Sequence, residues 1–398
     1  MLAFEISEYE ERIQKVKARM DAEGIEVLLV TDPANMNYLS GYDGWSFYVP
    51  QVLVLIAEER QPIWIGRGID ANGARHTTWL DDAHIISYPD DYVQSPVKHP
   101  MDFVSDILKQ IGQSKRRIGL EMDAYYFTAL GYEKLKRGLP DATFKDATLL
   151  VNWVRIVKSE REIQYMKRAA EIAEKAMWKG VDSIDEGVRE CDVAANIYHS
   201  LVSGTELIGG DYPSIVPMMP TGVKSNAPHM TWSEDRFKKG DPVVIELAGC
   251  YRRYHSPLAR TVSIGPPHPK LKELAAVAVE GLNAALETVA PGVACEEVER
   301  AWTKTISQYG YMKDSRIGYA MGLNYPPDWG EHTASIRYGD RTVLEPNMTF
   351  HMIPGIWLDD HCGVEISESF RVTENGCEVL ARFPRELIVV PRLHSAIS

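Results

Sequence analysis

The first 150 residues alternate between helical and extended hydrophobic patterns. Over residues 8–23 apolar positions recur at helical spacing, and Gly24 ends the pattern. Short apolar runs bounded by turn residues predict buried strands, and the segment TDPANMNYLSGYDG is predicted to be turn-rich. The predicted strands are EVLLV, QVLVLIA, QPIWIG and RRIGLEM, and a second helix is FVSDILKQIG. This alternation predicts an α/β domain with a central sheet over residues 1–155.

A long amphipathic pattern marks the approach to a second domain. The stretch TLLVNWVRIVKSEREIQYMKRAAEIAEKAMWKGV predicts a long helix with its lead-in, which places the boundary near residue 155. Further helical patterns cover residues 270–289 and 294–309, and paired extended stretches follow and precede them. Helices combined with runs of paired strands predict an α+β domain with an antiparallel sheet over residues 156–398.

Within the second domain, the stretch VVIELAGCYRRYHSPLARTV predicts a strand, a turn and a second strand. Glu246 is the one carboxylate in this hairpin, and apolar residues flank it. A buried strand carboxylate is either paired with a nearby cation or used for chemistry. The structural alternative is therefore an ion pair of Glu246 with Arg252, Arg253 or Arg260.

Composition and charge narrow the function. The chain has 43 basic and 56 acidic residues, a net charge of -13, and no dense Lys/Arg block, so a nucleic-acid partner is not expected. The longest apolar runs, such as residues 52–57, are too short to span a membrane, and the polar N-terminal segment does not resemble a signal peptide. The five cysteines form no CxxC pair, which favours a reducing cytoplasm and argues against a zinc–cysteine site.

Several segments, in order, resemble the creatinase/aminopeptidase P family, whose catalytic domain has the pita-bread fold. The segments are DPANMNYLSGYDG, VRIVKSEREIQYMKRAAEIA, SNAPHMTW, KKGDPVVIELAGCYRRYHSPLARTV, TVLEPNMTFHMIPGIWL and GVEISESFRVTENGCEVL. The resemblance covers nearly the whole chain. It implies an N-terminal creatinase-like α/β domain followed by an α+β pita-bread catalytic domain.

The resemblance also implies which positions would hold metal. Metal-dependent members bind two cations with two Asp, one His and two Glu, and those positions fall on Glu246, Pro257, Leu323, Ile353 and Ser367. Proline, leucine and isoleucine offer no side-chain donor, and a lone serine is a poor ligand. No metal and no other cofactor is therefore expected. Two interpretations stay open: a metal-free hydrolase, or a non-catalytic binding module on the same fold.

Three further stretches, SGYDGWSFYVPQ, GLNYPPDWGEHTAS and GIWLDDHCGVEISES, resemble the branch of the family that opens a cyclic amidine. The substrate implied is a small zwitterion with an amidinium carbon, which resists attack by neutral water. Glu246 is expected to act as nucleophile or as general base, and the sequence does not separate these roles. Another metal-free hydrolase of a small zwitterion is the enzymatic alternative.

Histidines supply the candidates for proton transfer. His229, in the segment SNAPHMTW, is the first candidate for proton donor or shuttle, because an imidazole titrates near neutral pH. His332 is the second candidate, and Glu331 beside it is a candidate for substrate binding. His255 and His351 lie on or next to the family's ligand strands, where pointing into the site and packing in the core are equally compatible with strand alternation.

Aromatic side chains are expected to hold the amidinium plane, because cations favour ring faces. The candidates are Trp45, Phe47, Tyr48 and Trp329. The resemblance implies a homodimer in which residues 45–48 cover the partner's pocket. The alternative is that these aromatic residues only fill an interface between domains.

The substrate carboxylate needs its own partner, for which Arg316, Arg337 and backbone amides are the open candidates. Asp359 and Asp360 lie beside a histidine but match no ligand spacing, so an acidic turn is expected there. The sequence leaves open whether a deacetylase associates with the protein.

Overall fold

A computed structural model describes residues 2–358 and 362–391 of the chain. The chain divides into two compact units, Met1–Arg155 and Ile156–Ser398, here called the first and second units. The helices of the first unit are α1 (Ile6–Ala22), α2 (Pro33–Ser40), α3 (Ala71–Thr77), α4 (Pro100–Gln110), α5 (Ala129–Gly138) and α6 (Leu150–Arg155). Its strands are β1 (Val27–Val30), β2 (Val52–Ile56), β3 (Ile63–Arg67), β4 (Ile85–Tyr88), β5 (Arg117–Leu120) and β6 (Thr143–Asp146).

The first unit is built around one mixed sheet. Its strand order is β4-β3-β2-β1-β5-β6, with β2 antiparallel to both of its neighbours and the outer pairs parallel. Val27, Leu29 and Val54 project from the central strands into a core closed by Val104 and Leu108 of α4. The predicted α/β class is therefore confirmed.

Helix α2 replaces part of the segment that was predicted to be turn-rich. Asp32 caps its N-terminus by accepting a hydrogen bond from the backbone N–H of Ala34 at 2.7 Å, and Pro33 occupies the first turn. Gly41 ends the helix with a φ of 84°, a conformation that favours glycine. The prediction was wrong here because Asp, Pro and Gly mark helix ends as well as turns.

The second unit contains four longer helices and a larger number of strands. The helices are α7 (Glu160–Ser183), α8 (Glu190–Ser203), α9 (Pro269–Thr288) and α10 (Cys295–Ser307). The strands are β7 (Pro242–Tyr251), β8 (Tyr254–Ile264), β9 (Gly318–Met321), β10 (Gly330–Ile336), β11 (Thr349–Met352), β12 (Gly355–Trp357), β13 (Gly363–Glu365), β14 (Glu368–Thr373), β15 (Gly376–Val379) and β16 (Ile388–Val390). Ser159 starts α7 with a capping box, so the predicted long helix is interrupted between α6 and α7.

The strands of the second unit form mostly antiparallel sheets. A five-stranded sheet has the order β10-β9-β11-β14-β15, a three-stranded sheet has the order β16-β8-β7, and β12 pairs with β13. Only the pairing of β16 with β8 is parallel among the strands described in this unit. The α+β class with antiparallel strands, the expected pita-bread domain, is confirmed.

The β7–β8 hairpin is the longest paired element and carries Glu246 opposite Ala259. Its turn consists of Arg252 and Arg253, with φ values of 53° and 67°, in the left-handed region that non-glycine residues rarely adopt. Arg253 is fixed there, because its guanidinium lies 3.6 Å from the ring centroid of Tyr212 and pairs with Asp211. These contacts offset the backbone strain of the turn.

Both sides of β7 are closely covered. At Gly249 a Cβ atom would lie 1.9 Å from the carbonyl oxygen of Ala169 in α7, so only glycine allows this approach of helix and strand. On the strand edge, Met218 and Glu246 exchange two backbone hydrogen bonds of 2.8 and 3.0 Å. The position of Glu246 is therefore fixed by helix packing and by pairing on both strand edges.

No helix in the described part of the chain is long and apolar enough to cross a membrane.

Candidate active site

A cavity of about 540 Å³ opens beside Glu246 in the second unit. Its volume lies within the range of small-molecule sites. The side chains around it come from the hairpin, from the segment before β9 and from β12 and β13. The described lining residues are Ile215, Met218, Pro228, His229, Glu246, Lys313, Ser315, Arg316, Tyr319, Asp328, Ile353, Trp357 and Glu365.

Glu246 lies in the cavity wall and is only 4% exposed. Among the described residues, none forms an ion pair or a hydrogen bond with its carboxylate. Arg260 instead pairs with Glu368 at 2.8 Å, and Arg253 pairs with Asp211. The structural alternative, in which a hairpin arginine neutralises Glu246, is therefore excluded for these two arginines.

Glu365, at the end of β13, is a second buried carboxylate in the cavity wall. The hydroxyl of Thr261 fixes its backbone: the Glu365 N–H donates to Thr261 Oγ1 at 2.9 Å, and Thr261 Oγ1 donates to the Glu365 carbonyl. Its Oε2 atom is buried without a hydrogen-bond partner among the described residues. Because a buried polar atom is costly when unpaired, Glu365 Oε2 is a candidate contact for a bound donor.

Burial raises the proton affinity of both carboxylates. Burial raises the pKa of Glu365 to about 7, although Lys313 acts in the opposite direction. Burial also raises the pKa of Glu246 well above its ordinary value, and the negative charges of Glu365 and Asp328 add to the effect. Glu246 therefore holds a proton more readily than an ordinary glutamate, and a cation bound beside it would favour ionisation.

Basic groups line another part of the cavity. The Lys313 ammonium lies 3.9 Å from the ring centroid of Trp357 and donates to Ser315 Oγ at 2.8 Å. Burial lowers the pKa of Lys313 to about 8, while Glu365 raises it. The Arg316 guanidinium lies 4.4 Å from the ring centroid of Tyr319. The cavity thus carries both carboxylates and cations, as a zwitterionic ligand requires.

A hydrogen-bonded chain lies behind the cavity wall. Trp329 Nε1 donates to Tyr319 Oη at 2.8 Å, and Tyr319 Oη lies 3.0 Å from His351 Nδ1. His351 Nε2 lies 2.8 Å from Ser367 Oγ, which also accepts a hydrogen bond from the Ala259 N–H at 2.7 Å. Burial lowers the pKa of His351 to about 3, so its imidazole is neutral.

His229 is exposed and lies on the cavity lining, where the sequence placed its candidate proton donor. Its loop is tied down by Met219, whose N–H donates to the carbonyl of Met230 at 3.1 Å. The other predicted proton carrier, His332, is not among the described lining residues. Its ring Nε2 lies 2.7 Å from Oδ2 of Asp328, which does line the cavity.

Glu331 and Trp329 do not line the cavity as the sequence predicted. The side chain of Glu331 is buried and pairs with Lys158 at 2.7 Å, each side chain being 1% exposed. Strand alternation in β10 places Glu331 inside and His332 outside. Trp329 is fully buried and reaches the cavity only through its hydrogen bond to Tyr319. Trp357 is the tryptophan that lines the cavity.

The predicted aromatic residues of the first unit form a small surface cluster. Trp45 and Tyr48 are 59% and 62% exposed, and the ring of Phe47 contacts those of Trp45 and Tyr126 at centroid distances of 4.8 and 5.6 Å. All described lining residues of the cavity belong to the second unit. The role of Trp45, Phe47 and Tyr48 in covering a partner's pocket stays a prediction.

The remaining candidates have structural positions. His255 is fully buried, and its Nε2 accepts a hydrogen bond from the Ser214 N–H at 2.9 Å. Leu323, the residue assigned to the family's histidine position, is not among the described lining residues, whereas Tyr319 is. Arg337 is exposed and likewise not part of that lining, in contrast to Arg316. Asp359 and Asp360 lie outside the described residues.

Sequence reasoning missed Glu365, Asp328, Lys313, Tyr319 and Trp357. Glu365 could have been found, because it lies in the segment GVEISESFRVTENGCEVL, which resembles the family. Lys313 precedes β9 in a segment without regular structure, so no periodic pattern indicated its direction.

Comparisons with known proteins agree with this architecture. The sequence profile of Metallopeptidase family M24 matches residues 164–374, and that of the Creatinase/Prolidase N-terminal domain matches residues 12–157. The chain is 45% identical to a protein named ectoine hydrolase from Halomonas elongata, with 98% of each chain covered. The chain belongs to the creatinase-like M24 family. The resemblance drawn from the sequence is thereby confirmed.

Other relatives show how wide this family is. The chain is 47% identical to an uncharacterized hydrolase/peptidase of Sinorhizobium fredii, covering 98% of this chain and 99% of the relative. The crystal structure of the prolidase from Pyrococcus horikoshii superposes with a TM-score of 0.80 at 27% identity, covering 95% and 100% of the two chains. The chain is a hydrolase of this family.

The residues present do not fit the metal centre that the name of the M24 family implies. Of the five positions that the family resemblance assigns to metal ligands, only Glu246 carries a carboxylate. The Ser367 hydroxyl already forms hydrogen bonds with His351 and with the Ala259 N–H. No group of three or more His, Cys, Asp or Glu side chains suited to a metal occurs in the described part of the chain. Burial raises the pKa values of Glu246 and Glu365, which line the same cavity.

The substitution Glu331→Gln tests the structural assignment of this residue. It should destabilise the protein by about 3–5 kcal/mol, because Lys158 would remain buried without its counter-charge. The free energy of unfolding, measured with urea, checks this. Glu345→Gln, at an exposed position, should change it by less than about 0.5 kcal/mol. A Glu331 variant of unchanged stability would contradict the assignment.

The raised pKa of Glu365 predicts how stability depends on pH. The folded state binds a proton that the unfolded state has lost, so the free energy of unfolding should fall as pH rises from about 4.5 to about 7. Glu365→Gln should reduce this fall by up to about 3 kcal/mol. Urea unfolding at pH 5 and pH 8 measures it, with Glu374→Gln as the exposed control. An equally steep fall in the Glu365 variant would refute the pKa assignment.

Proposed function

We propose that this protein hydrolyses ectoine, a cyclic amidine that carries a carboxylate, to N-acetyl-L-2,4-diaminobutyrate without a metal ion. The observation that carries the proposal is the buried pair Glu246 and Glu365, which faces a cavity that also contains Lys313 and Arg316. The similarity to the protein named ectoine hydrolase supports the choice of substrate.

The charges of the cavity complement those of ectoine. The amidinium carries its positive charge over two N–H groups, which would find acceptors in Glu246 and in the unpaired Oε2 of Glu365. The ring carboxylate would find Lys313 and Arg316. Trp357 and Tyr319 provide ring surfaces in the same cavity, in the role that the sequence assigned to Trp329.

Glu246 is the proposed nucleophile or general base. Burial raises its pKa, and an arriving amidinium would lower it because opposite charges favour ionisation. The ionised carboxylate then attacks the amidine carbon or removes a proton from a water that attacks it. His229, exposed at the cavity lining, exchanges protons with solvent as the proposed shuttle.

The assembly and the compartment belong to the same proposal. We propose a cytoplasmic homodimer in which Trp45, Phe47 and Tyr48 cover the pocket of the partner subunit, and the exposure of Trp45 and Tyr48 supports this. A deacetylase that acts on the acetylated product is a proposed partner.

A non-catalytic binding module is the second candidate. Such a module would not require two carboxylates to be buried together, which is costly in the free protein. The pair Glu246 and Glu365 therefore favours an enzyme. Another metal-free hydrolase of a small zwitterion, such as one acting on creatine, would use the same charges, and direct assay separates it.

Incubation of the purified, chelator-treated protein with ectoine tests the function. We expect the ring signals in a proton NMR spectrum to disappear and those of one acetylated diaminobutyrate to appear. Parallel incubations with 5-hydroxyectoine and creatine define the substrate range. Unchanged ectoine after prolonged incubation would refute the proposed substrate, and activity that requires added Mn²⁺ or Zn²⁺ would refute metal independence.

The substitution Glu246→Gln should lower kcat for ectoine by about 100- to 10,000-fold, since the amide can neither attack nor take a proton. The variant should fold, because glutamine keeps the shape of the side chain. Steady-state kinetics and circular dichroism check both statements. Glu345→Gln is the matched control with full activity, and full activity of the Glu246 variant would rule out its catalytic role.

Arg316→Met should raise the KM for ectoine by about 10- to 100-fold, since hydrogen bonds to charged groups contribute about 1.5–3 kcal/mol. The methionine retains the apolar stem beside Tyr319. Arg337→Met, at an exposed position not found on the described lining, is the matched control and should leave KM unchanged. Equal effects of the two substitutions would contradict a carboxylate contact by Arg316.

A further inference from the structure

The chain of side chains behind the cavity has hydrogen-bond directions that can be deduced. Two of its donors are unambiguous, because the indole N–H of Trp329 and the backbone N–H of Ala259 can only donate. Tyr319 Oη therefore accepts a hydrogen bond from Trp329, and Ser367 Oγ accepts one from Ala259. The neutral His351 between them has one N–H and one acceptor nitrogen.

One arrangement leaves a buried proton without an acceptor. If Tyr319 donated to His351 Nδ1, then His351 Nε2 would donate to Ser367. The Ser367 hydroxyl, which already accepts from Ala259, would then have no acceptor among the described residues. Ser367 is fully buried, so its unpaired proton would cost about 1–3 kcal/mol.

The opposite arrangement gives every group in the chain a partner except the Tyr319 proton. Ser367 donates to His351 Nε2, and His351 Nδ1–H donates to Tyr319 Oη. Tyr319 Oη then accepts from both His351 and Trp329, and its own proton is the one left over. Tyr319 is half-buried and lies on the cavity lining beside Glu246, where water or a ligand can accept that proton.

We propose that Tyr319 is a further catalytic residue, the proton donor to the ring nitrogen that departs, and that His351 and Ser367 are positioning residues that direct its hydroxyl into the cavity. This inference rests on the proposed function. It assigns a use to Tyr319, which lines the cavity, whereas Leu323, the residue assigned to the family's histidine position, is not among the described lining residues. Burial and the charge of Glu246 both raise the pKa of Tyr319, so the hydroxyl keeps its proton until a strong base forms beside it.

The proton balance can be written for the route in which Glu246 removes a proton from water. The water oxygen bonds to the amidine carbon and forms a tetrahedral intermediate. The ring C–N bond then breaks, its electron pair stays on nitrogen, and that nitrogen takes the phenolic proton while the carbonyl forms. The hydroxyl proton of the intermediate passes to the freed amine. Tyr319 recovers the proton held by Glu246, and His229 keeps its role as shuttle to solvent.

The tautomer of His351 tests the hydrogen-bond direction without any substrate. In protein labelled with ¹⁵N-histidine, long-range ¹H–¹⁵N correlation spectra should show His351 protonated at Nδ1, with the signal assigned by its loss in His351→Asn. Should that variant fail to fold, the signal that shifts in Tyr319→Phe serves for assignment. Protonation at Nε2 in the native protein would overturn the inference.

Substitutions of Ser367 and of the nearby Ser369 provide a matched test and control. Ser367→Ala should convert His351 to the Nε2–H tautomer, because Tyr319 would then donate to Nδ1. Ser369→Ala should leave the tautomer unchanged, because Ser369 Oγ donates instead to the carbonyl of Pro257 at 2.6 Å. An Nδ1–H tautomer that persists in Ser367→Ala would contradict the relay.

Kinetics with ectoine test the catalytic part. Tyr319→Phe should lower kcat by about 100- to 10,000-fold with KM changed only a few-fold, and Ser367→Ala should lower kcat by about 10-fold. Ser369→Ala should retain full activity. A Tyr319→Phe variant with native kcat would overturn the donor role. If the native protein leaves ectoine unchanged, the proposed function fails, while the tautomer measurement still decides where the Tyr319 proton points.

Discussion

The candidate site depends on the burial of two carboxylates that face one cavity. Glu246 and Glu365 come from different strands, and neither has an arginine or lysine bonded to its oxygens among the described residues. Removing two such groups from water is unfavourable, and protonation is how a protein lowers that cost. Helix packing, hairpin pairing and the Thr261 hydroxyl hold strands β7 and β13 in place, and these contacts offset the penalty.

Two buried cations of the second unit are paired with carboxylates other than Glu246 and Glu365. Arg260 is shared between Glu368 and backbone carbonyls, and Lys158 is committed to Glu331. Neither Arg260 nor Lys158 therefore neutralises Glu246, whose carboxylate remains available to a ligand. Lys313, whose pKa is lowered to about 8, and Arg316 are the basic groups of the cavity lining, and a bound carboxylate would complete their environment.

The sequence predicted the fold class of both units. It named Glu246 and His229 from segments with family likeness and Arg316 as one of several open candidates, and all three line the cavity. The direction of a side chain depends on local geometry that the pattern does not show. Glu331, in β10, and Trp329, directly before that strand, are both buried in the core rather than on the described cavity lining. Tyr319 was missed because the family's histidine position had been assigned to Leu323, which lies beyond the end of β9 at Met321. Asp328 and Lys313 are brought to the cavity by tertiary packing alone.

The backbone pairing between Met218 and Glu246 has a consequence for motion. The loop that carries His229 begins on the strand edge that carries Glu246, and the two share hydrogen bonds at the peptide of Glu246 itself. These bonds hold the start of the loop, at Met218, to the sheet. The amide of Glu246 should consequently exchange its hydrogen only when the pairing with Met218 opens.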